Sequence, residues 1–457
     1  MLEQLPGVRP FRVSVANPRD QAAQNLAPGV STPCAKQRNP PGQTHGGTMN
    51  ILHVLGQRPE KTGSGIYLHS IMRKAQEHGF SNHLLAGIPA GNGPELEGLA
   101  PEDCSYVYFE SDRLNFPVTG MSDVMPYKSS LFKELQGERL DAYKAAFEAA
   151  LQQTVGRFQP DVIHANHLLV VTALVRKLFP DIPLVATCHG TDLRQFHNCP
   201  HLRTFVKKYC RRIDRVIALS GDQKREISRT YDILPEKIVV TGGGYDETIF
   251  NRAPKSTAET VQILYAGKFN RSKGVPWLLR ALPKIEARNW HLHMAGGGRG
   301  PEYEACLDLA RNLGSRVTVH GYVTHRRLAQ LMKTAHIQVL PSFFEGLPLV
   351  LFEGLASGCR IITTNLSGFE EIFSRAGRDT VRLLDLPPLA TIDRPYAKDE
   401  ARLEATLAAS LAEMMATVRT SPDFEDPGAA EIANTYTWQR VFERVSAVYR
   451  EAVSQRS

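Results

Sequence analysis

Short apolar runs, polar turns and helix-period segments alternate along the chain from residue 50 onward. The first unit begins with a strand-like run at residues 51–55 and continues through a glycine-containing loop at residues 62–65. The segment after this loop has apolar residues at helical spacing, namely Leu68, Ile71, Met72 and Ala75. Repetition of this strand, turn and helix unit is typical of α/β folds with parallel sheets.

The units form two series, which a polar linker at residues 251–260 separates. Further strands of the first series are expected at residues 83–86, 106–109, 162–164, 184–187, 216–219 and 238–241. Strands of the second series are expected at residues 263–266, 292–295, 317–319, 337–340 and 360–363. We therefore predict an amino-terminal domain at residues 49–250 and a carboxyl-terminal domain at residues 251–435. The remaining residues, 436–457, are predicted to form a final packed helix with Val441, Val445 and Val448 on one stripe.

Two further segments lack periodicity. Residues 1–48 are rich in proline and lack the apolar core of a signal peptide, so we expect a disordered amino-terminal extension. Met49 directly precedes the first strand and is a candidate translation start. The proline-rich residues 384–397 are predicted to form a loop.

Composition restricts the class of protein. The 54 basic and 47 acidic residues are spread along the chain and give a formal net charge of +7, which favours anionic ligands without requiring nucleic acid. The seven cysteines are scattered and show no metal-binding or secretory pattern, so we expect reduced thiols in a cytoplasmic protein. No run approaches the roughly 18 apolar residues that a membrane-spanning helix needs.

The most specific local feature is the segment at residues 344–358, in which Glu345 and Glu353 are seven residues apart. It follows the predicted strand at residues 337–340. Gly346 is expected to permit a sharp turn, and Pro348 suits the first turn of a helix. Glu345 should then lie on a loop and Glu353 inside the helix, whose free amide groups favour a phosphate or a sugar hydroxyl.

This segment resembles the E-x7-E motif of family 4 glycosyltransferases, and the resemblance covers most of residues 50–375. Residues 267–274, 295–298, 319–323, 340–342 and 364–370 are similar to the family as well. The resemblance implies the GT-B fold, in which two Rossmann-like domains face each other across a cleft. It also implies retaining, metal-independent transfer from a UDP- or GDP-sugar, without a cofactor, to a glycan, lipid-linked or small-molecule acceptor.

The resemblance assigns roles to individual residues. Glu345 is expected to contact the donor sugar, and Glu353 to hold the ribose of the nucleotide. Lys268 and Lys273 are expected to stabilise the charge of the departing diphosphate, in the place of a metal ion. Related enzymes usually have arginine where this chain has Lys268, so a planar guanidinium that binds in a bidentate way is replaced here by an ammonium point charge. His189 is expected to contact the donor sugar.

The remaining site predictions concern short loops. Gly267, Gly346 and Leu347 are expected to help bind the donor. Gly63, Ser64 and Gly65 are expected to form a loop for an acceptor or a phosphate. A tight strand-to-helix turn needs glycine whatever it binds, which is the alternative explanation for this loop.

Other interpretations stay open at this stage. The glutamates and lysines could be ordinary surface residues, and His189 could be structural. A zinc site would need the unusual spacing of Cys188, His189, His197 and Cys199. The triple glycine at residues 296–298 lacks the spacing of a dinucleotide fingerprint, which disfavours an NAD-dependent oxidoreductase.

A basic group in the first domain could dock on anionic lipid and give peripheral membrane contact, although a solvated helix face is the simpler explanation. Its members are Lys207, Lys208, Arg211, Arg212 and Arg215. A nucleotide-sugar epimerase and a non-catalytic sugar-nucleotide-binding protein are the alternative functions.

Overall fold

A computed structural model describes residues 48–456, except Lys61, Asn92, Glu95, Glu97, Val124, Ala258 and Ile392. The extension predicted at the amino terminus therefore lies, up to residue 47, outside the described residues.

The first domain is built on a parallel sheet with the strand order β3-β2-β1-β6-β7-β8-β9. Its elements are β1 Asn50–Leu55, α1 Gly63–Glu77, β2 Ser81–Pro89, β3 Cys104–Phe109, β4 Thr119–Gly120, β5 Ser130–Leu131, α2 Gly137–Phe158, β6 Val162–Asn166, α3 Val170–Leu178, β7 Leu184–Thr187, α4 Thr191–Asn198, α5 Pro200–Cys210, β8 Arg215–Ala218, α6 Gly221–Tyr231 and β9 Ile238–Val240. β4 and β5 pair with each other outside this sheet.

The second domain is built on a parallel sheet with the order β12-β11-β10-β13-β14-β15. Its elements, with the helices that end the chain, are β10 Val261–Ala266, α7 Val275–Ala281, β11 Trp290–Ala295, α8 Pro301–Arg311, β12 Val317–Gly321, α9 His325–Thr334, β13 Ile337–Leu340, α10 Leu349–Ala356, β14 Arg360–Thr364, α11 Phe369–Phe373, β15 Val381–Leu384, β16 Leu389–Thr391, β17 Arg394–Pro395, α12 Ala397–Thr420, α13 Pro427–Thr435 and α14 Trp438–Ser454.

The central strands of each sheet are almost fully buried because helices cover both faces of the sheet. In β1, for example, Ile51 and Leu52 point to opposite faces, and both are fully buried. The apolar stripe predicted for α1 is buried as well. The prediction of two α/β domains with parallel sheets is therefore confirmed, and the predicted strands differ from the observed ones by a few residues at their ends.

Three local predictions need correction. Residues 63–65 do not form a loop, because Thr62 caps α1 by accepting a hydrogen bond from the Gly65 amide (3.0 Å), and the helix begins at Gly63. Pro348 immediately precedes α10 instead of lying in its first turn. The predicted loop at residues 384–397 contains the short antiparallel pair β16 and β17.

The final helix, α14, packs against the first domain although it follows the second in sequence. Its residues Trp438, Val441 and Val445 are buried in one cluster with Ile51 and Ile71 of the first domain. The Tyr449 hydroxyl is hydrogen-bonded to Nδ1 of the buried His164 (2.7 Å), and Arg215 pairs with Glu451 (2.6 Å). The chain thus crosses between the domains twice, and backbone pairing of Tyr245 with Thr437 joins the two crossings.

The hydrogen bond between Tyr449 and His164 gives a stability prediction. Tyr449→Phe keeps the ring but leaves Nδ1 of a fully buried histidine unpaired, which should lower the free energy of unfolding by about 1–3 kcal/mol. Urea unfolding measures the change. Tyr108→Phe is the control, because Tyr108 is 44% exposed and its substitution should change little. Equal stability of the Tyr449→Phe variant and the wild type would contradict the proposed packing of α14.

Candidate active site

Segments that follow strands of the first sheet contact segments that follow strands of the second. A methyl group added to Gly368, after β14, would stand 3.7 Å from the carboxylate of Asp222 at the start of α6. One added to Gly243, after β9, would stand 3.1 Å from the side chain of Leu349 at the start of α10. The carboxyl ends of both sheets therefore border the cleft between the domains, where parallel α/β folds bind ligands.

The two residues expected to act at the reacting sugar and diphosphate meet in the structure. Glu345 lies on the loop after β13, as predicted, and Lys273 lies just before α7. Nζ of Lys273 is 2.8 Å from Oε1 of Glu345 and donates to the Phe344 carbonyl at 3.1 Å. The Ser342 hydroxyl donates to the same Oε1 at 2.7 Å. Glu345 is thus held by a cation and a hydroxyl at the carboxyl edge of the second sheet.

Glycines let the surrounding loops approach one another closely. A Cβ on Gly274, whose φ is +70°, would lie 1.9 Å from the Pro341 carbonyl oxygen. A Cβ on Gly296 would lie 1.9 Å from the carbonyl of Gly267. Larger residues would separate the loops that follow β10, β11 and β13. Gly267 therefore lies in the same group of packed loops as Lys273.

Lys268 differs from Lys273. Its backbone carbonyl accepts a hydrogen bond from the Tyr265 hydroxyl at 2.7 Å, while its side chain is exposed and forms no ion pair with any residue that the structure describes. The structure therefore brings Lys273 to Glu345 but leaves Lys268 pointing to solvent near the same edge.

The start of α10 is open. Gly346 is exposed, does not adopt a positive φ, and a Cβ there would meet no atom within 4 Å. The chain bends at Gly346, as expected, although neither its backbone conformation nor a neighbour requires glycine there. Leu347 is half-buried, and its side chain reaches Gly242 at the domain crossing.

Glu353 lies inside α10, as predicted, and is only 8% exposed. No residue in the described part of the chain forms an ion pair or side-chain hydrogen bond with its carboxyl group. Burial consequently raises the pKa of Glu353 to about 8. A carboxyl group in this state suits a neutral hydroxyl better than a second anion.

His189 follows β7 at the carboxyl edge of the first sheet and is partly exposed. Its Nε2 lies 2.9 Å from Oδ1 of Asn166, and its ring makes an edge contact with Tyr67 at 5.2 Å between centroids. Its backbone amide donates to the buried Asp192. Burial, with a further contribution from His167, lowers the pKa of His189 to about 3, so the imidazole is neutral near pH 7.

The glycine-rich segment of the first domain is largely occupied by internal contacts. The Ser64 hydroxyl is buried and accepts a hydrogen bond from the Gln57 side chain at 3.0 Å. A Cβ on Gly65 would lie 2.0 Å from the Pro59 carbonyl, so this glycine is required for packing. Gly63 faces open space, which makes its position the accessible one of the three.

Sequence analysis missed other polar residues at these strand ends. Asn166 is the last residue of β6, His167 follows it directly, and Ser342 follows β13. His167 has a φ of +73°, is 4% exposed, and its ring lies 4.7 Å from that of His189. A polar pair at the carboxyl end of a buried strand was the available signal.

Three further points of the sequence analysis can be compared with the structure. Arg215 does not belong to the surface basic group, because it lies in β8, is 6% exposed and pairs with Glu451. In the described part of the chain, no three His, Cys, Asp or Glu side chains are grouped so that they could hold a metal ion. Among the same residues, no helix is long and apolar enough to cross a membrane.

Comparison with known proteins identifies the family. Residues 62–248 match the model for Glycosyltransferase Family 4, and residues 260–386 match the model for Glycosyl transferases group 1. The chain is 24% identical over 339 residues to glycogen synthase of Mycobacterium tuberculosis (strain ATCC 25618 / H37Rv), which covers 71% of this chain and 80% of that protein. It is 24% identical over 421 residues to the MMP alpha-(1->4)-mannosyltransferase of Mycolicibacterium hassiacum, covering 86% and 95%.

Solved structures have the same fold. Sucrose-phosphate synthase from Thermosynechococcus elongatus matches with a TM-score of 0.65 and 18% identity, over 89% of this chain and 100% of that one. Anabaena Alr3699/HepE in complex with UDP-glucose matches with a TM-score of 0.59 and 15% identity, over 88% and 100%. Both halves of the chain therefore match glycosyltransferases, and the protein belongs to the family 4 glycosyltransferases with the GT-B fold.

Proposed function

We propose that the protein is a retaining, metal-independent hexosyltransferase that moves a sugar from a UDP- or GDP-sugar to a hydroxyl of an acceptor. The acceptor is a glycan, a lipid-linked sugar or a small molecule. The observation that supports this proposal most directly is the contact between Lys273 and Glu345 at the carboxyl edge of the second sheet. It joins a cation for the leaving diphosphate to a carboxylate for the reacting sugar.

The reaction breaks the bond between the anomeric carbon and the terminal phosphate oxygen of the donor, and the electron pair goes to that oxygen. Lys273, with Lys268 nearby in sequence, offsets the negative charge that develops on the diphosphate. The carboxylate of Glu345 stabilises the positive charge that develops at the anomeric carbon. The acceptor oxygen forms the new bond on the same face, and its proton passes to the departing phosphate oxygen.

The second domain binds the nucleotide in this proposal. Glu353 forms hydrogen bonds with the ribose hydroxyls. These hydroxyls are neutral, so they can bind a carboxyl group with a raised pKa. Gly346, Leu347 and Gly267 border the donor, and the open space at Gly346 lets a phosphate or a sugar approach the backbone. The fold match to a protein solved with UDP-glucose favours a UDP-sugar.

The first domain binds the acceptor and the far side of the donor sugar. His189 offers a neutral ring to the sugar, and the backbone at Gly63, in the same domain, is accessible. Ser64 and Gly65 have internal contacts, so they hold the start of α1 in place instead of contacting a ligand.

A lipid-linked acceptor would bring the enzyme to a membrane surface. Lys208, Arg211 and Arg212 are exposed at the end of α5, whereas Lys207 pairs with Asp232 at 2.7 Å. These three exposed cations could attract anionic lipid. The six described cysteines are free thiols, which is typical of cytoplasmic proteins.

An epimerase or a non-catalytic binding protein would also bind a sugar nucleotide. The matched family models describe transferases, which argues against epimerisation. NMR analysis of the products distinguishes the three functions, because only a transferase gives a new glycosidic bond, and its coupling constants report the anomeric configuration.

Loss of the Glu345 carboxylate tests the proposed site. Glu345→Ala should lower kcat by about 10²–10³-fold, because the charge that stabilises the reacting sugar is removed. Steady-state transfer assays measure the change, and circular dichroism checks the fold. The matched control is Glu304→Ala, which removes an exposed glutamate from α8. Full activity in the Glu345→Ala variant would contradict the proposed function.

Chelation tests whether a lysine, and not a metal ion, offsets the negative charge of the diphosphate. Wild-type initial rates should be the same with and without excess EDTA, whereas Lys273→Ala should lower kcat by about 10²-fold because the cation is lost. Lys284→Ala is the control, since Lys284 pairs with Glu404 of α12 outside the cleft. A rate that falls in EDTA and returns with Mg²⁺ or Mn²⁺ would overturn metal independence.

The raised pKa of Glu353 predicts a pH dependence of stability. The Glu353 carboxyl group keeps its proton up to about pH 8 in the folded state but only up to about pH 4.5 in the unfolded state. Its contribution to the free energy of unfolding is therefore fully present below pH 4.5 and is lost as the pH rises through 8. Glu353→Gln, which cannot ionise, should therefore gain stability relative to the wild type on going from about pH 5 to about pH 8.

Thermal unfolding without donor measures this difference at each pH. Glu304→Gln is the matched control, and its difference from the wild type should stay constant with pH. A constant difference for Glu353→Gln as well would show that the carboxyl group is not desolvated.

A further inference from the structure

The contact between Asn166 and His189 lies where the ends of two neighbouring strands meet. Asn166 is the last residue of β6, pairs in register with Thr187 at the end of β7, and is 3% exposed. His189 lies two residues after Thr187. Oδ1 of Asn166 lies 2.9 Å from Nε2 of His189, so a buried amide contacts one nitrogen of a ring that is itself partly exposed.

The orientation of the amide follows from its other contact. Nδ2 of Asn166 points to the carbonyl oxygen of Val54 on the adjacent strand β1, at 3.5 Å. A flipped amide would set its own oxygen against that carbonyl, which is unfavourable because both atoms are acceptors. The amide oxygen therefore faces His189. An oxygen can only accept, so Nε2 of His189 must be the protonated nitrogen.

A neutral imidazole has one proton, and with the proton on Nε2 the other nitrogen, Nδ1, has a free lone pair. No described residue donates a hydrogen bond to Nδ1. We propose that Asn166 is a positioning residue that fixes His189 in the Nε2–H tautomer, so that Nδ1 accepts a hydrogen bond from a sugar hydroxyl in the cleft. This proposal rests on the proposed function, in which His189 contacts a sugar. The hydroxyl belongs to the donor sugar or to the acceptor.

Burial and the neighbouring His167 keep the ring of His189 uncharged, whereas the charge of Asp192 opposes this effect. Tyr67 lies against this ring from α1, His164 and His167 from β6 and the residue after it, and Asp192 from α4. Asp192 is occupied by the backbone amides of Leu168 and His189, so its charge is directed to the backbone.

His167 reinforces the neutral state of this group. Neither of its ring nitrogens has a partner in the described part of the chain, and burial lowers its pKa to about 3. Its backbone is fixed nevertheless, because its amide donates to the Thr187 carbonyl at 2.9 Å and its carbonyl accepts from the Leu169 amide. A neutral pair of imidazoles suits a hydroxyl, which is uncharged, better than a phosphate.

The same kind of pair occurs elsewhere in this domain and supplies a control. Nε2 of His53 lies 2.9 Å from Oδ1 of Asn82, whose Nδ2 donates to the Met72 carbonyl at 3.0 Å. His53 is fully buried in β1, and Asn82 lies near the start of β2, at the end of the sheet opposite to the cleft. Substitutions of Asn82 thus test structural effects without touching the site.

Nitrogen-15 NMR of the free protein with labelled histidine gives the direct test. His189→Gln identifies the His189 signals by their loss. The expected wild-type spectrum has a protonated Nε2 and an unprotonated Nδ1 for His189. A protonated Nδ1 overturns the proposal, whatever reaction the enzyme catalyses, because no substrate is present in the experiment.

Enzyme assays test the consequence for transfer. Asn166→Asp keeps the shape of the side chain but places a carboxylate beside Nε2–H, which should raise the pKa of His189 by about 1–3 units. The kcat/KM of this variant, divided by that of the wild type, should therefore fall as the pH is lowered, because protonation removes the lone pair on Nδ1. The same ratio for Asn82→Asp should not change with pH. A pH-independent ratio for Asn166→Asp would overturn the proposal and indicate a structural role only.

Separate KM values identify the hydroxyl. Asn166→Ala should lower kcat/KM by roughly tenfold, the effect of about 1.4 kcal/mol. An increase confined to the KM for the donor assigns the hydroxyl to the donor sugar, and one confined to the KM for the acceptor assigns it to the acceptor. Absence of any sugar transfer by the wild type would instead overturn the proposed function, while the tautomer remains measurable by NMR.

Discussion

The ion pair between Lys273 and Glu345 depends on two loops that can meet only because glycine lies between them. Gly274 lets the loop before α7 approach the Pro341 carbonyl, and the Phe343 amide donates to the Ser272 carbonyl at 2.8 Å. The pair itself is partly exposed, with 23% of the Lys273 side chain and 14% of the Glu345 side chain accessible, so it adds little to stability. In the proposed function its role is electrostatic: the diphosphate competes with Glu345 for the ammonium group, and the carboxylate is then free to face the sugar.

The second constraint is that the chain crosses between the domains twice. Arg444 of α14 donates to the Thr241 carbonyl of one crossing and to the Thr435 carbonyl near the other. Tyr436, at the second crossing, stacks on Phe352 of α10 with ring centroids 3.8 Å apart. Phe352 is adjacent to Glu353, so the segment that joins the domains packs directly against the helix proposed to bind the nucleotide.

Sequence reasoning succeeded where a rule is local. Buried strands appear as apolar runs, and the residues that follow them lie at one edge of the sheet, which is why the positions of Glu345, Lys273 and His189 could be predicted before the structure. Their roles came from the resemblance to the family. It failed where burial depends on distant partners. Arg215 looks like part of a basic surface, but Glu451 lies far away in sequence and meets it in β8. The linker residue Lys255 is 5% exposed because its ammonium group donates to carbonyls at the end of α9.

The contact between Asn166 and His189 belongs to the same non-local class, since only the pairing of β6 with β7 brings the two residues together. Together with the ion pair of the second domain, this contact makes the two sides of the proposed cleft differ in charge. In the proposed function, the second domain presents ammonium groups to the diphosphate, whereas the first domain presents the neutral ring of His189, which contacts the buried neutral ring of His167. Closing the domains over a sugar removes water from both sides, and the desolvation of neutral rings costs far less than that of charged groups. In the proposed function, the neutral ring of His189 therefore meets the neutral sugar hydroxyls, while the charges that drive bond cleavage remain on the side that binds the leaving group.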